Sequence, residues 1–159
     1  MSDFKTLLTA LSGQQVEYIL IGGVAAVSHG SARATFDVDV VYRRTPENID
    51  RLTRALQPLR PYLRGAPPGL PFIFDATTVK RGLNFTLTTT AGDLDLLAEV
   101  AGGGTWESLA PHSDELQLFG VACRRVDLPT LIRLKRAAGR PKDLEALGEL
   151  EALLDERDA

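Results

Sequence analysis

Tyr18-Ile19-Leu20-Ile21-Gly22-Gly23-Val24-Ala25, followed by Phe36-Asp37-Val38-Asp39-Val40, is the stretch that decides the fold. Its first part is a short apolar run closed by two glycines, a length and a boundary that favour a buried strand over a helix. Its second part alternates with a period of two. A strand over 36–42 would put Asp37 and Asp39 on one face and send Val38 and Val40 into the core. Two carboxylates on one strand face repel unless a cation lies between them. Hard divalent cations such as Mg²⁺ take oxygen ligands from one or two carboxylates together with substrate phosphates. Glycines that open a helix let backbone N–H groups approach an anion closely, so Gly22 and Gly23 read as a phosphate cradle. Paired strand carboxylates also occur on solvated edges, and the rest of the chain has to decide between the two readings.

Outward from this stretch, helical and extended patterns alternate. Phe4, Leu7, Leu8 and Leu11 have helical spacing, with Ser2 as the expected cap and Gly13 past the end. Val24 to Val27 suits a short helix ending near His29-Gly30. Thr45 and Pro46 open a helix through Ile49, Leu52 and Leu56. Four prolines between Pro58 and Pro68 break regular structure, which predicts a long surface loop or lid. Leu83 to Thr89 alternates as a half-buried strand, Ala91-Gly92 turns the chain, and Leu94 to Val100 returns. Gly102-Gly103-Gly104 ends that unit, and a hairpin is expected around Gly120 between 116–119 and 121–126. Pro129 opens a helix through Leu131, Ile132, Leu134 and Ala138. After Gly139-Arg140-Pro141-Lys142-Asp143, a last helix carries Leu144, Leu147, Leu150, Leu153 and Leu154.

This layout supplies a third carboxylate. Asp95 lies inside an apolar strand between Leu94 and Leu96, whereas Asp93 follows the turn glycine, so Asp95 is the better partner for Asp37 and Asp39. Arg33 precedes the carboxylate strand and is expected either to meet phosphate or to pair with Asp37 or Asp39. Lys135, Arg136, Arg140 and Lys142 read equally as a solvated helix end and as phosphate ligands. His29 is either a neighbour of the site or a helix-end residue bonded to a carbonyl. Arg60, Arg64, Lys80 and Arg81 are candidates for a rim that would meet a polyanionic acceptor. Trp106 reads as a core plug, Arg124 and Arg125 as surface, and Cys123 lacks a base that would make it a nucleophile.

Composition sets the outer limits. The chain has 159 residues, the length of about one domain, with 44% hydrophobic and 25% charged residues. No apolar run approaches the ~20 residues of a membrane-spanning helix, and the amino end has no basic region followed by an apolar core. A lone cysteine cannot form an internal disulfide, so a soluble protein of the reducing cytoplasm, away from membranes, is expected. The net charge of −3 gives no general attraction to nucleic acid, and any such contact must come from a local patch.

Ile21-Gly22-Gly23, Asp37-Val38-Asp39 and a later strand carboxylate together resemble the signature of the DNA polymerase beta-type nucleotidyltransferase superfamily. With His29-Gly30, Arg33, Thr35, Leu131-Ile132-Arg133-Leu134-Lys135 and Ala137 to Asp143, the chain is similar to a bacterial branch that includes abortive-infection (AbiEii-like) toxin nucleotidyltransferases. The resemblance runs from about Tyr18 to Leu147. It implies an α+β, polymerase beta-like fold: a mixed twisted sheet with packed helices, a catalytic core over 1–128 and a helical segment over 129–159 on the same domain. It also implies transfer of a nucleoside monophosphate from a nucleoside triphosphate to an acceptor hydroxyl on an RNA end, a protein or a small molecule. Asp37, Asp39 and Asp95 would hold Mg²⁺ or Mn²⁺, with Asp95 as the base. Gly22 and Gly23 would cradle the triphosphate, and Arg33, Lys135, Arg140 and Lys142 would meet its phosphates. The glycine motif lacks the serine common in the superfamily. A toxin role would add an antitoxin protein as partner, and the alternative is a non-catalytic member that binds only a nucleotide or a partner.

Overall fold

A computed structural model describes residues 2–158. Seven strands form one mixed sheet in the order β3-β4-β5-β2-β1-β7-β6. They are β1 (Tyr18–Ile21), β2 (Asp37–Tyr42), β3 (Tyr62–Leu63), β4 (Phe85–Thr89), β5 (Gly92–Leu97), β6 (Ser113–Leu118) and β7 (Val121–Val126). β2 pairs antiparallel with β1 and parallel with β5, and β1 pairs parallel with β7. The helices are α1 (Phe4–Gly13), α2 (Gly22–Ser28), α3 (Pro46–Leu56), α4 (Ala76–Arg81), α5 (Trp106–Leu109), α6 (Leu128–Ala138) and α7 (Pro141–Asp158). The fold is therefore α+β with a mixed sheet, as the sequence led us to expect. Among the described residues, no helix is long and apolar enough to cross a membrane.

Both faces of the sheet carry buried apolar residues, and the carboxylates share one of them with Ile19 and Val41. Leu20, Val38, Val40, Leu87, Leu94 and Leu96 are fully buried and belong to the same core as Leu7, Leu8 and Leu11 of α1 and Ile49, Leu52 and Leu56 of α3. By strand alternation, Asp37, Asp39, Asp93 and Asp95 project from the other face. Leu128, Leu131, Ile132 and Leu134 of α6 and Leu150 of α7 are buried in that core too. Asn48, fully buried at the start of α3, takes the Glu17 N–H at 2.6 Å and donates to the Glu17 and Arg43 carbonyls at 3.0 and 2.7 Å. It thereby satisfies backbone groups at the ends of β1 and β2, which would otherwise be costly to bury.

Several boundaries differ from the sequence reading. Asp3, not Ser2, caps α1 by accepting from the Thr6 N–H at 3.0 Å, while the Ser2 hydroxyl donates to the Phe36 carbonyl. β2 starts at Asp37 and leaves Phe36 exposed. The proline-rich stretch is not all loop, because it contains β3, paired with β4 at Tyr62↔Thr88 and Leu63↔Leu87. β5 starts at Gly92, which takes Asp93 out of the turn and into the strand. Trp106 is half-buried against the core under the Arg43 guanidinium, 4.6 Å from its ring centroid.

His29 resolves as a structural residue. Its ring is buried at the end of α2, where Nε2 lies 2.8 Å from the Val126 carbonyl and Nδ1 lies 3.1 Å from Arg157 Nη1. A neutral ring protonated on Nε2 donates to the carbonyl and accepts from the arginine. Burial, with Arg125 and Arg157 nearby, holds the His29 pKa below its usual 6.5. This contribution to stability is present above about pH 6.5 and is lost as pH falls through the lower folded value. His29→Gln is expected to lower the melting temperature at pH 7.5, with the gap to wild type narrowing towards pH 5. A gap constant with pH would contradict the buried neutral ring.

Candidate active site

The parallel pairing of β2 with β5 creates the site. Its register sets Asp37 opposite Asp93 and Asp39 opposite Asp95. One carboxylate oxygen from each of Asp37, Asp39 and Asp95 lies within 4.8 Å of the others, and all three side chains are partly buried. Burial first, then Asp95 and Asp37, push the Asp39 carboxyl up to about 8, against a smaller opposing pull from Lys135. Three carboxylates this close together, with the Asp39 carboxyl pushed up by its neighbours, form a donor set of oxygens that fits a hard divalent cation.

The glycines fix how closely the chain passes this cluster. Gly22 follows β1 directly and opens α2 with φ +67°, and a Cβ there would lie 2.1 Å from Asp39 Oδ2. A Cβ on Gly23 would lie 2.3 Å from Thr35 Oγ1. Ile21 is paired with Asp39 across the antiparallel ladder, so the β1–α2 turn sits directly against the carboxylate. Gly22 is thus required by the approach of backbone to carboxylate, and Gly23 by its close packing against the Thr35 side chain.

Opposite the carboxylates stand cations from the α6–α7 corner. Asp143 is the organising group, its side chain only 1% exposed. It accepts from Arg140 Nε at 2.6 Å and lies 3.4 Å from Lys135 Nζ. Burial works against its charged form, but Arg140 and Lys135 outweigh burial and hold the carboxyl below its usual value. A buried ionised aspartate therefore fixes two cations at the mouth of the carboxylate cluster.

Together these groups border a cleft with two lobes. Asp39, Asp95, Lys135 and Arg140 line both. One lobe, about 320 Å³, is polar and adds Gly23, Arg33, Thr35, Asp37, Lys142 and Glu149. The other, about 280 Å³, adds Gly22, Phe85, Leu97, Leu131, Leu134 and Ala138, with Asn84 and Thr86 as polar neighbours. Asp37, Asp39, Asp95, Gly22, Gly23, Arg33, Lys135, Arg140 and Lys142 each border one lobe or both, whereas His29, Arg136 and the rim candidates Arg60, Arg64, Lys80 and Arg81 line neither.

Two expectations need correction. Arg33 pairs with neither Asp37 nor Asp39; its nearest acidic partner is Glu145 at 3.8 Å, an exposed contact of small energetic weight. Arg64 does not stand on a rim awaiting a polyanion. Its Nη2 donates to Asp95 Oδ1 at 2.7 Å, and its Nε lies 3.3 Å from Asp93 Oδ2. Sequence reasoning also missed Asp143 as the holder of Lys135 and Arg140. The signal was a carboxylate placed three residues after Arg140 at the start of a helix, where its oxygen can also accept the Arg140 backbone N–H, here at 3.3 Å.

No family model matches the chain, and a search of curated proteins finds no match. Among solved structures, it is similar to a protein of Thermotoga maritima, described as a candidate nucleotidyltransferase, in a crystal structure at 1.87 Å resolution. The two share 14% sequence identity over 96% of this chain and 91% of the other, with a TM-score of 0.54. At that identity the likeness establishes the fold: the chain has the α+β architecture of this nucleotidyltransferase-like neighbour.

Proposed function

We propose that the protein is a metal-dependent nucleotidyltransferase, which moves a nucleoside monophosphate from a nucleoside triphosphate to an acceptor hydroxyl. The observation that carries this reading is the facing arrangement of three carboxylates and two fixed cations across one cleft. The neighbour's fold and description support the same class.

In this reading the polar lobe takes the triphosphate. Lys135 and Arg140 neutralise its oxygens from one side, Arg33 and Lys142 extend the positive wall, and the Gly22-Gly23 turn brings the backbone close. Asp37, Asp39 and Asp95 would hold Mg²⁺ or Mn²⁺, which supplies charge neutralisation and alignment for an in-line displacement at phosphorus. Asp95 accepts the acceptor's hydroxyl proton. The hydroxyl oxygen bonds to the α-phosphorus, the bond from that phosphorus to the bridging oxygen breaks, and pyrophosphate leaves. The apolar lobe accommodates the uncharged parts of the reactants.

The acceptor in this proposal is an RNA end, a protein hydroxyl or a small molecule, and a toxin held in check by an antitoxin protein is its cellular form. Incubation with cell RNA, cell protein, Mg²⁺ and each of the four triphosphates is expected to release pyrophosphate from at least one. Asp37→Asn should abolish that release. A metal-independent release, or none with any triphosphate, would contradict the reading. For the toxin form, expression should arrest growth and Asp39→Ala should relieve the arrest; arrest that survives loss of both Asp37 and Asp39 would exclude it.

A further inference from the structure

Arg64 makes the contact least expected of a metal site, since it places a permanent cation on one of the three carboxylates. It leaves the edge strand β3, where its backbone N–H donates to the Thr86 carbonyl at 2.9 Å. Its side chain then crosses β4 to reach β5. Its Nη2 donates to the Leu87 carbonyl of β4 at 2.8 Å and to Asp95 Oδ1 of β5 at 2.7 Å. Nε lies 3.3 Å from Asp93 Oδ2, outside hydrogen-bond geometry, and is buried without another partner among the described residues. The guanidinium is thus wedged between Asp93 and Asp95 on the strand face that carries Asp37 and Asp39. A planar fork with fixed donors restrains a carboxylate's rotation in a way that a lysine point charge does not.

We propose that Arg64 is the positioning residue of Asp95: it claims Oδ1, leaves the other oxygen for Asp39 and the reacting groups, and its charge loosens the cluster's hold on a divalent cation. This inference rests on the nucleotidyl-transfer reading for its catalytic part and on electrostatics alone for its metal part. With Oδ1 engaged, Asp95 offers a single oxygen, which suits a group that must take a proton from an acceptor as well as face a cation. The neighbouring positive charge opposes the entry of a second one, so the site remains exchangeable rather than locked around its ion. Arg64 sits among Pro58, Pro61, Pro67 and Pro68, and proline stiffening of that segment limits the ways in which the guanidinium can withdraw.

The test pairs Mn²⁺ binding, followed by electron paramagnetic resonance, with steady-state kinetics on purified full-length protein. Arg64→Ala is expected to bind Mn²⁺ about tenfold more tightly, because a unit charge beside the cluster has gone. Arg64→Lys keeps the charge and should bind within about threefold of wild type, which also guards against a folding loss in the alanine variant. In both variants kcat should fall about 10- to 100-fold with the triphosphate KM little changed, the pattern of a lost orientation effect. Added guanidinium ion should restore part of the kcat of Arg64→Ala while leaving its melting temperature unmoved. Unchanged Mn²⁺ affinity in Arg64→Ala, or kcat close to wild type in both variants, would overturn the proposal. Failure of the wild type to bind Mn²⁺ would overturn this inference and the metal-dependent reading together. Normal Mn²⁺ binding without pyrophosphate release would overturn nucleotidyl transfer alone, and the Mn²⁺ comparison would still decide whether Arg64 tunes the cluster.

Discussion

Asp39→Asn is expected to abolish nucleotidyl transfer, by about a thousandfold or more, while making the metal-free protein harder to unfold at pH 8. Both effects come from one carboxylate. Folding raises the Asp39 pKa from 3.8 to about 8, chiefly through burial and then through Asp95 and Asp37. The folded protein therefore holds a proton that the unfolded chain releases. The associated stability is fully present below about pH 4, declines as pH rises, and is lost once pH passes the folded value near 8. Asparagine carries no charge at any pH and escapes this penalty, which is on the order of a few kcal/mol at pH 8. Between pH 6.5 and 8, above the range in which His29 titrates in the unfolded chain, the melting temperature of metal-free protein should fall in wild type and stay flatter in Asp39→Asn. Mg²⁺ should restore stability most at high pH, and calorimetry in buffers of different ionisation heat should detect a proton released as the ion binds. A wild-type profile that rises over this range would contradict the crowding of the three carboxylates.

Gly22→Ala has the second large effect. A methyl group at this position would sit 2.1 Å from Asp39 Oδ2, and the φ of +67° is one that residues with a Cβ adopt at a cost. The left-handed conformation alone costs about 1–2 kcal/mol. The clash can be relieved only by moving the Asp39 carboxylate or the turn. A melting temperature lower by about 5 °C is expected for a chain of this size, together with a loss of activity of about a hundredfold or more from the displaced carboxylate. Gly13→Ala is the control, because nothing lies within 4 Å of a Cβ there. Gly22→Ala with wild-type activity would mean that the turn does not set the position of Asp39.

These two positions were legible in the sequence because local patterns determine them. Alternation in Asp37-Val38-Asp39-Val40 fixes which side chains share a face, and a glycine pair between an apolar strand and a helical pattern marks a close approach. The expected strand at Asp95 followed from the same alternation. What local pattern could not reveal was which side chains tertiary pairing would bring together. Asp93 reads as a turn residue because it follows Gly92, yet the parallel ladder with β2 draws it into β5 opposite Asp37. Arg64 lies in a proline-rich stretch with no periodicity, 31 residues before its partner Asp95, and only the β3–β4 pairing carries it to the cluster. α4 puts Thr77, Thr78 and Val79 inside a helix against their strand preference, because Asp75 caps it and Val79 is buried. α5 is too short, at four residues, to leave a periodic signal. The polar start of β6 was missed for a related reason: cross-strand pairs Asp114–Arg125 and Glu115–Arg124 support that end of the hairpin instead of apolar alternation.

In the proposed reaction the carboxylates of β2 and β5 and the cations of the α6–α7 corner act together on a triphosphate, at its α-phosphorus. Supplying cell extract, Mg²⁺ and protein with triphosphates labelled at either the α- or the γ-phosphate tests this most directly. The α-label is expected to become attached to an acceptor while the γ-label leaves in pyrophosphate, and both events should vanish in Asp37→Asn. Attachment of the γ-label to the acceptor, or α-label transfer that persists in Asp37→Asn, would contradict that reaction.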